Sequence, residues 1–200
     1  HHPFGTDQLG RDVLSRLVYG IRATVFLSLL TMAITSALGA CVGLVSGFFR
    51  NRIDDVLMRI CDVMMSFPSE VMILAIVGMT GPGLENVVIA NVVAKWPWYA
   101  RMVRSIVRQY SDKDYIRFAK VAGGSSIRIM MRHLLPGTAG ELFVLTTLDT
   151  GSVILMISAL SFLGLGVQPP TPEWGMMLNE AKEVMTLYPL QMIPSSNAIN

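Results

Sequence analysis

The segment 114–136 reads DYIRFAKVAGGSSIRIMMRHLLP. It decides the fold, because its residues form a short amphipathic pattern that lies between long apolar runs. Its first apolar residues recur at i, i+3, i+4 and i+7, the spacing of one helix face: Tyr115, Phe118, Ala119 and Ala122. Gly123 and Gly124 follow and are expected to break that helix, because glycine adopts positive φ without a Cβ clash.

A second short helix is predicted after the glycines. Ser125 and Ser126 can cap its start, and Pro136 is expected to end it. Its apolar stripe has the same spacing: Ile127, Met130, Met131 and Leu134. Basic residues lie beside both stripes: Arg117, Lys120, Arg128 and Arg132. Two short helices of this kind suit docking into a groove on a partner protein; a pair lying on the membrane surface without a partner is the alternative.

The composition is that of a membrane protein. Of the 200 residues, 52% are hydrophobic and 15% are charged, whereas about a quarter are charged in soluble proteins. The mean hydropathy is +0.52, and the apolar residues lie in long uncharged runs. We therefore expect an all-α, polytopic bundle of transmembrane helices. The net charge of +2 and the absence of a basic–aromatic motif give no indication of nucleic-acid binding.

Transmembrane spans are predicted from the uncharged runs and the turns between them. They lie at about 23–49, 63–83, 86–105 and 137–163, and a last span starts near 187. Residues 1–22 are expected to form an extracytoplasmic segment with an interfacial helix, and 23–200 the membrane domain. In the first span, Gly39, Gly43 and Gly47 recur every four residues, which lets a neighbouring helix approach closely. The chain begins without Met and ends inside an apolar run, so we expect a fragment cut at both ends.

Three stretches carry a resemblance to a known family. They are HPFGTDQLGRD (2–12), the pattern DYI-x-x-A-x-x-x-G-x-S-x-x-RI-x-x-RH-x-LP within 114–136, and SFLGLGVQPPTPEWG (161–175). Together they resemble the ABC importer permeases of the dipeptide, oligopeptide and nickel family, in particular the second, C-type membrane subunit. The runs YARMVRS (99–105), TLDTG (147–151) and YPLQM (188–192) are more similar to the nickel and metallophore branch.

The resemblance implies a type I ABC importer permease fold with cytoplasmic coupling helices. In the family the loop corresponding to 114–136 is where the permease meets its ATPase subunit. It therefore implies an ATPase-coupling role for these residues: Asp114, Arg117, Phe118, Ala119, Gly123, Gly124, Ser125, Arg128, Arg132, His133 and Pro136. Two positions depart from the family pattern, since Phe118 stands where alanine is usual and Gly137 where asparagine is common.

The resemblance also implies the partners: a second permease subunit, two ATPase subunits, an extracytoplasmic substrate-binding protein and the lipid of the inner membrane. The chain has no GxxxxGK[ST] motif, so no nucleotide cofactor is expected on it, and ATP with Mg²⁺ belongs to the partner ATPases. The expected function is import of nickel or a metal complex. Import of dipeptides or oligopeptides is the main alternative. A cation channel or a secondary transporter is a further alternative. An intramembrane enzyme would need a catalytic pair, and the predicted spans contain none.

Acidic residues in apolar segments are costly and usually face a cavity or a partner. Asp149, Glu141 and Asp62 are therefore the candidates for the substrate path. The alternative for Asp149 is a hydrogen bond to a neighbouring helix, and for Glu141 and Asp62 a salt bridge near the cytoplasmic surface. The two cysteines, Cys41 and Cys61, have no metal-binding spacing, and no metal site is predicted.

The orientation follows from the basic residues, which concentrate on cytoplasmic loops. Two of the predicted loops are separated by two membrane crossings and so lie on the same side of the membrane. They hold eleven of the 16 basic residues: Arg50, Arg52, Arg59, Arg101, Arg104, Arg108, Lys113, Arg117, Lys120, Arg128 and Arg132. The segment 114–136 is therefore predicted to be cytoplasmic.

Overall fold

The computed structural model describes residues 5–7 and 9–182, and it confirms the all-α prediction for them. The helices are α1 (Val13–Phe49), α2 (Arg52–Met65), α3 (Ser69–Thr80), α4 (Leu84–Ser111), α5 (Asp114–Val121), α6 (Ser126–Ile129), α7 (Leu135–Phe162) and α8 (Trp174–Lys182), with a π-helical turn, Met130–Leu134, between α6 and α7. Within the described ranges the one β-type pairing is an isolated antiparallel bridge between Thr6 and Asp12.

Two helices of the described part of the chain are long and apolar enough to cross a membrane: Val13–Phe49 and Ser126–Phe162. The expected span 23–49 lies within the first of them, which starts earlier, at Val13, and so absorbs the end of the segment 1–22. The expected span 86–105 lies within α4, which is not one of these two helices, and its crossing stays a prediction.

The expected span 63–83 is not one straight helix. It comprises the end of α2 and all of α3, and these two helices are bent by 80° at a short break. The break falls just before Pro68, because the proline ring disfavours the helical conformation of the residue that precedes it. If α2 and α3 together are taken as one bent span, they form a third candidate span. The last span expected near 187 lies outside the described residues.

The expectation that Pro136 ends a helix is wrong. The chain passes from α6 through the π-helical turn directly into α7, so a helix runs from Ser126 to Phe162. Pro136 is the second residue of α7. A proline near the start of a helical segment is tolerated, because the N–H that it lacks is needed least there, and a π turn shifts the hydrogen-bonding register immediately before it.

Residues 31–72 and 91–150 form one compact unit. In it, the predicted close approach of a helix to the glycine face of α1 is confirmed. A Cβ added at Gly39 would lie 2.3 Å from Tyr99 Cβ, and one added at Gly43 would lie 2.6 Å from the carbonyl oxygen of Ala100. The backbones of α1 and α4 are therefore in direct contact, which any side chain at these positions would prevent.

The same unit holds α5 and α6 against the body of the protein. Three buried residues, Ile116, Ile129 and Leu134, anchor the pair. They pack on Ala40 and Leu44 of α1 and on Val103 and Val107 of α4. The short helices are therefore attached to the contact between α1 and α4, and the burial of three large aliphatic side chains stabilises this attachment by about 5–9 kcal/mol before entropic losses.

The second compact unit comprises the described residues of 1–30, 73–90 and 151–200. Its central group is Glu173, whose side chain is completely buried. The carboxylate accepts hydrogen bonds from Ser158 Oγ at 3.0 Å, Thr24 Oγ1 at 3.3 Å and the backbone N–H of Met176 at 3.0 Å. Glu173 therefore caps α8 and holds its start against α1 and α7, as a carboxylate at a helix N-terminus is expected to do.

An ionic network ties the N-terminal segment to α8 in this unit. Arg16 Nη1 lies 2.7 Å from Asp7 Oδ2 and 2.5 Å from Glu180 Oε2, and Arg11 Nε lies 2.7 Å from the same Asp7 oxygen. Burial of Asp7 opposes its ionisation, but hydrogen bonds from Arg11 and from the backbone N–H of Leu9 outweigh burial and lower the pKa of Asp7. Asp7 thus stays ionised and keeps the two arginines in place.

Candidate functional site

The helix pair, defined here as residues 114–134, has the sharp break that the sequence predicts. At the end of α5 the N–H of Gly124 donates to Ala119 O at 3.0 Å, and the N–H of Gly123 donates to Lys120 O at 3.1 Å. These two bonds form a Schellman motif, and Gly123 has the positive φ, +79°, that the motif requires. A Cβ on Gly124 would lie 2.8 Å from Ala119 O, so the second glycine is also needed.

The start of the second helix also follows the prediction. Ser125 is the N-cap of α6, with extended backbone angles, and its hydroxyl accepts a hydrogen bond from the N–H of Arg128 at 3.4 Å. At the start of α5, Asp114 places a negative charge in the first turn, where it interacts favourably with the helix dipole. Backbone hydrogen bonds and caps therefore define both ends of the turn between the helices.

The outer face of the helix pair is apolar and exposed. Val121 is 87% exposed, Phe118 73% and Ile127 71%, and Tyr115 and Met131 are also exposed. Large apolar side chains that stay exposed on short helices are typical of a protein–protein contact. Docking of this face onto a partner stays a prediction from the sequence.

The predicted apolar stripes do not all lie on this outer face. Ala119, Met130 and Leu134 pack inward on the anchor described above, together with Ile116 and Ile129, which the stripes omitted. Val121 was also omitted, although it is the most exposed of the group. Ile116 and Ala119 are themselves three residues apart, so the sequence contains a second, overlapping stripe that would have indicated the buried side.

The charged residues of the helix pair have different surroundings. Arg117, Arg128 and Arg132 are exposed, as docking onto a partner requires. Lys120 is exposed as well, but its Nζ lies 4.7 Å from the centre of the Phe48 ring in a cation–π contact. His133 is half-buried, and its ring centre lies 6.4 Å from that of Tyr115, so it brings the π-helical turn next to α5.

The three acids predicted for the substrate path each have a partner on α4. Asp149 accepts hydrogen bonds from Lys95 Nζ at 2.9 and 3.1 Å and from the Tyr99 hydroxyl at 3.1 Å. Glu141 accepts one from the Tyr110 hydroxyl at 3.1 Å. Asp62 forms an ion pair with Arg101, and both side chains are about half exposed. Because Lys95 and Tyr110 are 15 residues apart, these contacts lie about 20 Å apart along α4 and form no common site.

A fourth acid, Asp54, was missed by the sequence analysis. It is buried at the start of α2, and it accepts hydrogen bonds from Ser46 of α1 and from Arg104 and Arg108 of α4. Arg104 and Arg108 are four residues apart and fall on one face of α4, but this spacing does not identify the acid that they contact. The cluster joins three helices next to the point where α4 leads into the helix pair.

An exposed ion pair lies close by. Arg50 Nη1 lies 3.0 Å from Asp112 Oδ1, just before α5. The hydrogen bond from Arg50 lowers the pKa of Asp112 from its ordinary value. Among residues 5–7 and 9–182, no group of three or more His, Cys, Asp and Glu side chains could hold a metal ion.

Comparison with known proteins gives consistent results over nearly the whole sequence. Residues 39–196 match the family model described as "Binding-protein-dependent transport system inner membrane component". The metal-staphylopine import system permease protein CntC of Staphylococcus aureus (strain NCTC 8325 / PS 47) is 42% identical over 198 residues, which cover 99% of this chain and 68% of the relative.

Two further relatives show similar identities. The nickel transport system permease protein NikC of Escherichia coli (strain K12) is 39% identical over 191 residues, covering 96% of this chain and 69% of the relative. The di/tripeptide transport system permease protein DppC of Pseudomonas aeruginosa (strain UCBPP-PA14) is 42% identical over 203 residues, covering 98% of this chain and 67% of the relative.

Proposed function

This chain belongs to the family of binding-protein-dependent transport system inner membrane components, and from that premise we propose that it imports nickel or a metal complex. It is a permease subunit of an ABC importer in the inner membrane. Two of the three relatives described above are named for metal or nickel transport, and their names support this substrate class. Import of dipeptides is the second candidate, because the di/tripeptide permease is as similar as the staphylopine permease.

The proposed complex contains this chain, a second permease subunit, two ATPase subunits and an extracytoplasmic substrate-binding protein. In this proposal ATP and Mg²⁺ are bound by the ATPase subunits, and this chain performs no catalysis. The observation that carries the proposal is the exposed apolar face of the helix pair, which includes Phe118, Val121 and Ile127. Closure of the two ATPase subunits would push on that face and move the permease helices between inward and outward access.

The helix pair can transmit such a push because it is held on both sides. The Schellman motif at Gly123 sets the angle between α5 and α6, and the buried anchor of Ile116, Ile129 and Leu134 joins them to α1 and α4. Substitution of Gly123 by valine is expected to abolish substrate-stimulated ATP hydrolysis in the assembled complex. A β-branched residue resists positive φ by about 1–2 kcal/mol or more, so the break between the helices would change.

The matched control for this prediction is Gly123→Asn. Asparagine tolerates positive φ better than other residues with a side chain, and a Cβ at this position meets nothing within 4 Å. We therefore expect the Asn variant to keep most of the stimulated hydrolysis. Equal activity of the Val and Asn variants would show that the backbone conformation at Gly123 is not needed for coupling.

The orientation is tested by thiol labelling in a background with Cys41 and Cys61 replaced by alanine. Cysteines introduced at Ser126 and Thr171 are both exposed in the structure. Because the positive-inside rule makes the helix pair cytoplasmic, a membrane-impermeant thiol reagent should label position 126 only in inside-out vesicles. Position 171 should be labelled in spheroplasts. The opposite pattern would overturn the proposed orientation.

The substrate class is tested by uptake in a strain from which the gene for this chain is deleted. Complementation with the full-length gene should restore uptake of ⁶³Ni and leave uptake of a labelled dipeptide unchanged. Restored dipeptide uptake without nickel uptake would establish the second candidate. Asp149, Glu141 and Asp62 remain the proposed path residues.

A further inference from the structure

The carboxylate of Asp54 is a point at which three helices meet. Its side chain is 4% exposed and lies in the first turn of α2. Arg104 of α4 binds it with two nitrogens, since Nε lies 2.5 Å from Oδ1 and Nη2 lies 2.7 Å from Oδ2. Arg108, one turn later on α4, donates to Oδ2, and Ser46 of α1 donates to Oδ1. We call these four residues the three-helix cluster. Two parallel hydrogen bonds from one guanidinium fix distance and orientation, so the cluster sets the position of α2 along α4.

α2 depends on such a contact because the chain turns sharply at both of its ends. Arg50, between α1 and α2, has a φ of +48°, which a residue with a side chain rarely adopts. At the other end, α2 and α3 are bent by 80° at the break before Pro68. One long side of α2 is uncovered, and its apolar residues are between 45% and 66% exposed: Ile53, Val56, Ile60 and Val63. Contacts of the opposite side therefore position α2, through the three-helix cluster and through Met58 and Cys61, which pack on α4.

The part of α4 that carries the three-helix cluster also carries the helix pair. Val107, between the two arginines of the cluster, packs in the same apolar core as Ile116 of α5. The carbonyl oxygen of Arg108 accepts a hydrogen bond from Arg50 Nη2 at 2.7 Å, and Arg50 Nη1 lies 3.0 Å from Asp112 Oδ1, just before α5. Packed side chains and hydrogen bonds of this kind connect the helix pair to α2 without a gap. A displacement of the helix pair therefore acts on this stretch of α4 first.

We propose that Asp54 is a positioning residue of the transport cycle, which holds α2 on α4 so that α2 moves together with the helix pair. This inference rests on the proposed function, which assigns the push of the ATPase subunits to the helix pair. α2 is the first part of the bent candidate span, so the motion would enter the membrane domain along it. Two guanidinium groups share one carboxylate here. Loss of its negative charge leaves two like charges side by side and weakens the contact between α2 and α4.

The functional test compares two substitutions of Asp54 in the complete complex in proteoliposomes, with the second permease, the ATPase subunits and the binding protein. Asparagine keeps the volume and removes the charge, whereas glutamate keeps the charge on a longer side chain. The binding protein is supplied with Ni²⁺ or with dialanine, and the ratio of stimulated to basal ATP hydrolysis is measured. Asp54→Asn should lower this ratio by about fivefold or more, a usual size for coupling between sites. Asp54→Glu should keep more of it, although the longer side chain fits a buried site less well.

The matched control is Asp55→Asn, because Asp55 is an exposed carboxylate in the same first turn of α2. Its ratio should stay within about twofold of wild type. If Asp54→Asn cannot be recovered, Arg108→Gln replaces it, since the Arg108 side chain is 39% exposed and Arg104 still balances the carboxylate. Arg108→Gln should also lower the ratio.

The outcomes separate this inference from the proposed function. If the wild-type complex responds and the Asn variant, or the Gln variant in its place, responds equally, the inference alone is overturned. It is also overturned if Asp54→Glu responds less than Asp54→Asn, because volume rather than charge would then matter. If neither Ni²⁺ nor dialanine stimulates the wild-type complex, the proposed function fails, and the role of Asp54 in it fails as well.

A distance measurement distinguishes positioning from support of the fold. Spin labels are placed at Val63, which lies nine residues or about 14 Å beyond Asp54 along α2, and at Gln109 near the end of α4. Both positions are exposed, and Cys41 and Cys61 are replaced by alanine. With Asp54 present, the distance should be the same in the nucleotide-free and vanadate-trapped complexes, and in Asp54→Asn it should change on trapping. A change on trapping with Asp54 present, or no change in Asp54→Asn, would contradict the inference.

Discussion

Substitution of Gly43 by alanine is expected to prevent stable folding of this chain in the membrane, although it adds only one methyl group. The new Cβ would lie 2.6 Å from the carbonyl oxygen of Ala100, 2.7 Å from Val103 Cβ and 2.9 Å from the backbone N of Arg104. Two of these atoms are backbone atoms of α4, so no side-chain rotation can relieve the overlap. The helices must separate, and we expect a loss at or above the upper end of the usual cost of overpacking, about 3 kcal/mol.

The matched control is Gly140→Ala in α7. A Cβ there meets nothing within 4 Å, and alanine is the better helix former by about 1 kcal/mol, so the variant should be as stable as wild type. Both variants are compared by thermal unfolding of the purified chain in detergent, followed by fluorescence-detected size exclusion. Equal unfolding temperatures for Gly43→Ala and wild type would contradict the close contact between α1 and α4.

Substitution of Val121 by aspartate is expected to remove the ATPase subunits from the purified complex. Val121 is 87% exposed, so the substitution creates no clash within this chain. In the complex it would bury an unpaired carboxylate in an apolar contact, which costs 2 kcal/mol or more at an interface hot spot, or about thirtyfold in affinity. The same result is expected for Phe118→Asp, because that ring belongs to the same exposed face.

The control for these variants is Leu9→Asp, which alters a similarly exposed apolar side chain far from the helix pair in sequence. Co-purification of the ATPase subunits with a tagged permease measures the outcome, and the permease recovered serves as the reference for expression. Loss of the ATPase subunits from the control as well would indicate general destabilisation. Retention in the Val121 and Phe118 variants would show that this face is not the docking surface.

Local features of this chain could be predicted from the sequence because their causes are local. The glycines at 39, 43 and 47 predicted a close helix contact, and a backbone contact is found. Gly123 and Ser125 predicted the break and the cap of the helix pair, because positive φ and N-capping depend on one or two residues. Pro136 gave a wrong prediction, since the π turn before it allows the helix to continue.

Contacts between distant residues could not be predicted in the same way. Lys95 and Asp149 are 54 residues apart, and neither α4 nor α7 has a pattern that specifies the register of one against the other. Asp54 was missed for the same reason, because Arg104 lies 50 residues later in the chain. The apolar stripe of α5 was ambiguous, because two overlapping stripes begin at the neighbouring residues Tyr115 and Ile116. Tertiary packing buries Ile116 and leaves Tyr115 exposed.

The most direct test of the central claim, that the helix pair transmits the work of the ATPase subunits, is photo-crosslinking from position 121. A photoreactive phenylalanine analogue replaces Val121, whose exposure leaves room for a larger side chain. In the assembled complex we expect one cross-linked product between this chain and an ATPase subunit, with a yield that changes when ATP is bound. Cross-links only to lipid or to the other permease, with the ATPase subunits present, would contradict the claim.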